Sequence, residues 1–319
     1  MRIVALVPGG IGNQILFFPT LDDLKQAYPA AEIDVVVEPR AKDAYRVSKS
    51  VHDTILFDFN GGNSLADWGN LLGVLRDREY DIAFSAERSW AVGFLLWLTG
   101  IPIRIGFAGA GQAFLTNPVP LKQDQYAAPM FHDLLKGLGI TGPCPELALS
   151  VPTKDLDWAD AERKRLGIQG SGYVLLHTGS SEATQAKGID KIYPVENWKG
   201  IIQDFERRQP ALPIVVVQGP DDAEVVADLV TSNPKLKVTL PDDVGKLAAM
   251  IAGANLMLCT DSAPMHLAIA VQTYTLALFG PTDPKRLLPE DQRFVGIKSL
   301  TGKMEDISPQ TVLEKAWGG

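Results

Sequence analysis

The stretch from Leu258 to Pro284, LCTDSAPMHLAIAVQTYTLALFGPTDP, gathers the residues of this chain best suited to holding an anion. Leu256 to Thr260 form a short apolar run without helical period, ended by Asp261 and Ser262, as a buried parallel strand meeting a turn requires. A helix is expected to begin there. Ser262 suits its cap, Pro264 is tolerated in a first turn, and Leu267, Ala268, Ala270 and Val271 supply an apolar face. The turn through Ala263, Pro264, Met265 and His266 would then set backbone N–H groups at a helix N-terminus beside the C-terminal end of a strand, an arrangement that accepts a diphosphate. His266 beside Asp261 is an odd choice for a simple cap. The next strand, Tyr274 to Phe279, ends in a second polar turn, Gly280-Pro281-Thr282-Asp283-Pro284, on the same sheet edge.

A second loop with chemical potential is Pro8-Gly9-Gly10-Ile11-Gly12-Asn13, which follows the strand Ile3 to Val7. A dinucleotide fingerprint needs G-x-G-x-x-G, but after Gly10 and Gly12 the third position is Ile15, so an NAD site is poorly supported. The glycines serve either close approach by a ligand or the tight turn itself. No metal site is apparent: His52, His132, His177 and His266 do not cluster by spacing. The D-x-D at Asp155-Leu156-Asp157 precedes a helix, with Asp157 as its N-cap. Cys144 and Cys259 lie too far apart in sequence for a zinc motif or a disulfide framework, and the cytoplasm is the expected compartment.

Alternating strands and helices must position these loops. Ile33 to Val37, Thr54 to Phe57, Ile82 to Ser85 and Ile103 to Gly106 read as buried strands, with helices near 65–77 and 89–99 between them. Gly and Pro concentrate from Gly139 to Pro152, the expected boundary between domains of residues 1–150 and 151–319. A new series follows: a helix Trp158 to Leu166, strand Tyr173 to His177, helix Val195 to Arg208, strand Ile214 to Gln218, helix Ala223 to Val230, strand Val238 to Leu240 and a helix at 243–252. The fold class expected is α/β, with two Rossmann-like doubly wound domains facing a central cleft. At 319 residues both can have full cores, and 46% hydrophobic with 21% charged residues is a globular composition. A net charge of −8 argues against general nucleic-acid binding. The longest apolar segment, Trp90 to Gly100, is too short to span a bilayer; it reads as a packed helix, or as one lying against a membrane surface, because Trp90 and Trp97 flank Phe94-Leu95-Leu96 between Arg88 and Arg104.

The pattern L-x-x-x-I-x-x-A-N-L-x-x-x-x-D-S-x-P-M-H-L-A-x-A followed by A-L-F-G-P-T-D-P, with P-T-L-x-x-L-K-x-x-Y-P-x-A near the start, resembles the ADP-heptose:lipopolysaccharide heptosyltransferase family, glycosyltransferases of the two-Rossmann GT-B type. The resemblance covers nearly the whole chain. It implies an inverting, metal-independent transfer of a heptose or similar sugar from a nucleotide-diphosphate donor, ADP-heptose, to a glycolipid acceptor, by a cytoplasmic monomer, with peripheral contact with the inner membrane as a further expectation. It places donor phosphate on Lys191, from the match of Lys191-Ile192-Tyr193-Pro194, with Lys187 as rival and a solvated loop lysine as the plain alternative. His177-Thr178-Gly179-Ser180-Ser181 resembles the family's H-P-G loop, where the hydroxyls of Thr178 and Ser180 would reach phosphate. The ribose-binding carboxylate falls on Glu224, with helix-capping roles for Asp221 or Asp222 as the ordinary reading. The last helix, to Trp317, would pack back on the first domain.

One position departs from the pattern. The family carries Gly-Asp in the first glycine loop, the Asp serving as the base; here the pair is Gly12-Asn13, and an amide does not accept that proton at neutral pH. A catalytically silent nucleotide-sugar or glycan-binding protein and a nucleotide-sugar epimerase therefore stand beside the transferase.

Overall fold

The first sheet grows outward from the chain's own start. In a computed structural model, which describes residues 1–59, 61–179 and 191–318, Ile3 to Val7 have no solvent exposure, because a parallel strand at the centre of a sheet is covered on both faces. This strand, β1 (Arg2–Val7), is followed by α1 (Ile11–Ala27), β2 (Glu32–Val37), β3 (Asp53–Leu56), α2 (Leu65–Asp77), β4 (Ile82–Ser85), α3 (Trp90–Thr99), β5 (Ile103–Phe107), β6 (Asn117–Val119) and α4 (Ala127–His132). The strands are all parallel, in the order β3-β2-β1-β4-β5-β6. The order reverses between β1 and β4, so the loops at their carboxyl ends diverge to opposite faces.

The second series runs α5 (Thr153–Arg165), β7 (Val174–His177), α6 (Val195–Arg208), β8 (Ile214–Val217), α7 (Ala223–Ser232), β9 (Lys237–Thr239), α8 (Val244–Ala252), β10 (Leu256–Thr260), α9 (Ala263–Ala270), β11 (Thr275–Phe279), α10 (Pro284–Leu287), β12 (Phe294–Lys298) and α11 (Pro309–Ala316). Its sheet, β12-β11-β10-β7-β8-β9, is the first one's order repeated, with the switch point between β7 and β10. Two compact units, residues 1–150 and 151–319, contain one sheet each.

Several local expectations need correction. The helix expected from Trp158 starts at Thr153, so Asp157 lies inside it and caps nothing. Sequence periodicity also missed β6 and β12. β6 is a three-residue edge strand containing Pro118, and β12 is an edge strand interrupted by Gly296; both are too short or too irregular to announce themselves. The last helix, α11, packs on α6, β11 and β12 within the second unit. Trp317 just beyond it lies 4.6 Å from the Phe205 ring and donates from Nε1 to Asp204 at 3.1 Å.

Candidate functional site

His177 pairs in register with Cys259, so the loops leaving β7 and β10 emerge side by side at the second unit's switch point. A third loop is brought there by Tyr193. Its ring is fully buried and edge-on to Trp198 at 4.9 Å, and its hydroxyl donates to the Ile307 carbonyl at 2.8 Å. Two residues upstream, Lys191 Nζ lies 2.6 Å from Asp261 Oδ2. The same oxygen accepts from Thr282 Oγ1 at 2.6 Å. Asp261 thus ties together the loop before α6, the β10–α9 turn and the loop after β11. Lys191 is 14% exposed and Asp261 4%, so the lysine is neither a solvated loop residue nor a free charge, but half of a buried pair.

Around this pair the turn departs from the sequence reading in detail. Ser262 stands at the N-cap of α9, yet its hydroxyl makes no cap: it donates to the Thr260 carbonyl at 3.1 Å and sits 3.4 Å from His177 Nδ1. Pro264 has no N–H and the Met265 N–H donates to the Ser262 carbonyl at 3.1 Å, so the turn offers an anion fewer donors than 263–266 promised. The Ala263 N–H and the positive end of α9 remain. His266 is buried, with Nδ1 unpartnered among the described residues. Burial pushes its pKa down to about 4; Asp261 pulls it up and Lys191 adds to the lowering, so the ring is neutral at pH 7.

Burial likewise holds His177 at about 4, which makes its 3.7 Å approach to Asp222 Oδ2 a contact of a neutral ring, not an ion pair. Thr178, expected to offer its hydroxyl to phosphate, is fully buried with Oγ1 unpartnered among the described residues. Ser180 and the rival Lys187 lie outside the described residues. Of the acidic loop after β8, Glu224 is exposed in the first turn of α7. Asp222 is buried, takes the N-cap place without capping the helix, and accepts instead from the Gly219 N–H at 2.6 Å; burial raises its carboxyl pKa. Thr282 and Asp222 were missed as site residues, although both follow strands on the edge that carries Asp261.

In the first unit, α1 begins at Ile11 with Gly10 as N-cap, so Gly12 and Asn13 are its second and third residues and Asn13 is not a cap. Asn13 Nδ2 donates to the Pro8 carbonyl at 3.2 Å. Gly9 has φ +101°, and a Cβ there would fall 2.2 Å from that nitrogen, so only glycine leaves room. The loop is fixed by two further contacts: Gln14 Nε2 donates to the Val7 carbonyl at 3.0 Å, and Glu38 Oε1 accepts from the Gly9 N–H at 2.9 Å. Glu38 also pairs with Arg40 at 2.7 Å, so this nearby carboxylate, unnoticed in the sequence, anchors the loop. Asp22 accepts from Ser50 at 2.5 Å and Asp23 contacts His132 at 2.8 Å, both far along α1 from Asn13.

Comparison with other proteins places this arrangement. The chain is 26% identical over 339 residues to photosynthetic NDH subunit of subcomplex B 1, chloroplastic, of Arabidopsis thaliana, which spans 98% of this chain and 72% of that protein. It is also 26% identical over 293 residues to lipopolysaccharide heptosyltransferase 3 of Escherichia coli, spanning 85% and 81%. The crystal structure of the glycosyl transferase family 9 protein from Veillonella parvula DSM 2008 has the same fold, with a TM-score of 0.84 at 22% identity over 99% of this chain and 96% of that one. The sequence pattern of glycosyltransferase family 9 (heptosyltransferase) matches residues 68–317, from α2 of the first unit to the end of α11 and beyond. With two parallel six-stranded sheets of the GT-B type and that match over most of its length, the chain belongs to glycosyltransferase family 9.

Proposed function

We propose that this protein transfers a heptose or similar sugar from a nucleotide-diphosphate donor, ADP-heptose by family likeness, to a hydroxyl of a lipopolysaccharide-type glycolipid, with inversion and without a metal ion. The observation that carries the reading is the Lys191–Asp261 pair at the N-terminus of α9, on the switch point of the second sheet. In this reading the acceptor oxygen bonds to the anomeric carbon from the face opposite the diphosphate as the sugar–diphosphate bond breaks. The charge left on the diphosphate is met by the Lys191 ammonium, the Ala263 N–H and the α9 dipole, groups already in place before reaction. Glu224, exposed at the mouth of the next loop, holds ribose hydroxyls. Asn13 positions the acceptor hydroxyl without taking its proton, which passes to water, so turnover is slow.

The test is release of ADP from ADP-heptose with a deacylated or detergent-dispersed glycolipid acceptor, in EDTA, with the product's anomeric configuration read by NMR. Activity that vanishes in EDTA removes metal independence. Donor conversion without acceptor would identify an epimerase. A second reading is favoured by two observations, Asn13 and the Arabidopsis relative named as a subunit of a larger assembly: a member that binds nucleotide sugar or glycan without turnover. Donor binding with no product after prolonged incubation supports it.

A further inference from the structure

Helix α3 turns an apolar face outward. Val92, Leu95 and Leu96 are buried, but Trp90, Phe94, Trp97 and Leu98 are 59%, 37%, 52% and 39% exposed, at helical spacing along one side. The rings form one continuous surface: Phe94 stacks on Trp97 at 5.8 Å and meets Phe114 edge-on at 5.4 Å. Phe114 is delivered by the turn Gln112–Phe114, seated on α3 where Gly93 and Gly111 meet; a Cβ on Gly93 would come within 2.8 Å of the Gly111 carbonyl oxygen. This surface also differs in charge from the rest of the protein. Residues 88–123 contain Arg88, Arg104 and Lys122 and neither Asp nor Glu, in a chain with 38 acidic residues and a net charge of −8. Arg104 is fixed at the patch, its Nε donating to the Phe114 carbonyl at 2.8 Å, and Arg88 is exposed at the start of α3. The neighbouring Glu87 accepts from the backbone N–H groups of Arg88 and Ser89 at 2.8 and 3.1 Å.

We propose that this face docks on an anionic lipid bilayer. Indole and phenyl rings bordered by arginines match the interfacial zone, where rings enter the headgroup–acyl boundary and guanidinium groups stay with phosphate. Charge complementarity selects this occupant. An anionic membrane repels the acidic chain as a whole and attracts this acid-free stretch, which favours one orientation as well as contact. Among the described residues no helix is long and apolar enough to cross a membrane, so the contact is peripheral. The inference rests on the first unit's surface and not on the donor chemistry.

The test is flotation of the full chain with vesicles of phosphatidylcholine, with and without phosphatidylglycerol, together with quenching of tryptophan emission by brominated acyl chains. Flotation is expected with phosphatidylglycerol vesicles, weakened by salt. The pair Trp90→Gln/Trp97→Gln should lower partitioning by about tenfold or more and abolish the quenching. Arg88→Gln should lower it by about fivefold and reduce the salt sensitivity. All three proteins should unfold at the same temperature, since the replaced side chains are exposed. Equal partitioning of wild type and the tryptophan variant overturns the proposal. So does a wild type that ignores both vesicles, including the case where it self-associates through this face and the tryptophan variant does not.

Discussion

Asn13, Lys191 and the two buried histidines make separate claims that single substitutions can test. Asn13→Asp replaces an amide that donates to the Pro8 carbonyl with a carboxylate that cannot, in the first turn of α1, where negative charge is favoured. If the protein is a transferase lacking its base, transfer rises by about 10² to 10⁴ with donor affinity unchanged, measured as kcat and KM for both forms. Equal, substantial turnover in both would mean that another group takes the proton. Lys191→Met leaves the buried Asp261 carboxylate without its counter-charge, supported by the Thr282 hydroxyl, so it should cost about 3 kcal/mol in urea unfolding. Adding Asp261→Asn should recover most of that loss while nucleotide-diphosphate binding stays weak, which separates the structural share of the pair from its share in binding. The histidines set a pH dependence. Both have folded pKa values near 4, below the unfolded value, so the unfolded chain takes up more protons between them. Stability is therefore full above about pH 6.5 and falls as pH drops towards about 4, by on the order of 3 kcal/mol per histidine. His266→Gln should flatten the unfolding curve over that window, and an unchanged slope would show that His266 is not buried neutral.

At the scale of elements, Lys191 owes its place to the tyrosine two residues on. Tyr193→Phe removes the bond to the Ile307 carbonyl in a fully buried site, so it should cost about 1 kcal/mol and loosen the Lys191 loop. Nucleotide-diphosphate affinity should fall severalfold while nucleoside affinity does not; isothermal titration with both ligands checks this. How far such elements were legible depended on burial. Ile82–Ser85, Val195–Arg208 and Leu256–Thr260 were read to the residue, because buried parallel strands and strongly amphipathic helices leave unbroken apolar patterns. β6, three residues long with Pro118 inside it, and β12, broken by Gly296, carry no such pattern, which is why they were invisible. Turn chemistry was legible in kind but not in detail. Asp261 was singled out by residue type and Lys191 by the family resemblance, but their pairing at 2.6 Å depends on a contact across 70 positions that no local spacing encodes. Ser262 looked like a cap because serine usually is one, and the Thr260 carbonyl competed for its hydroxyl.

For the whole molecule, the repeated strand order implies that the second unit is a complete sheet with its own core. A fragment of residues 151–319 should fold and bind nucleotide diphosphate, read by thermal shift with and without ligand. Trimming it to 158–307 cuts α5, which packs on α8, and removes α11, so that shorter piece should not fold. Binding that appears only with residues 1–150 would sink the placement of the donor site. The switch point has a kinetic corollary. β7 and β10, neighbours in the sheet, are separated in sequence by β8, β9 and the helices α6, α7 and α8, and a contact of that span closes slowly because the loop's entropy is lost before any packing rewards it. Asp261 and His177 therefore meet only once a ribosome has released β10 and the chain has looped back on itself. The switch-point edge therefore exists only late in a nascent chain, and a saturating ligand of the proposed donor site can reward only molecules that have already crossed the folding barrier, slowing their unfolding without hastening their birth.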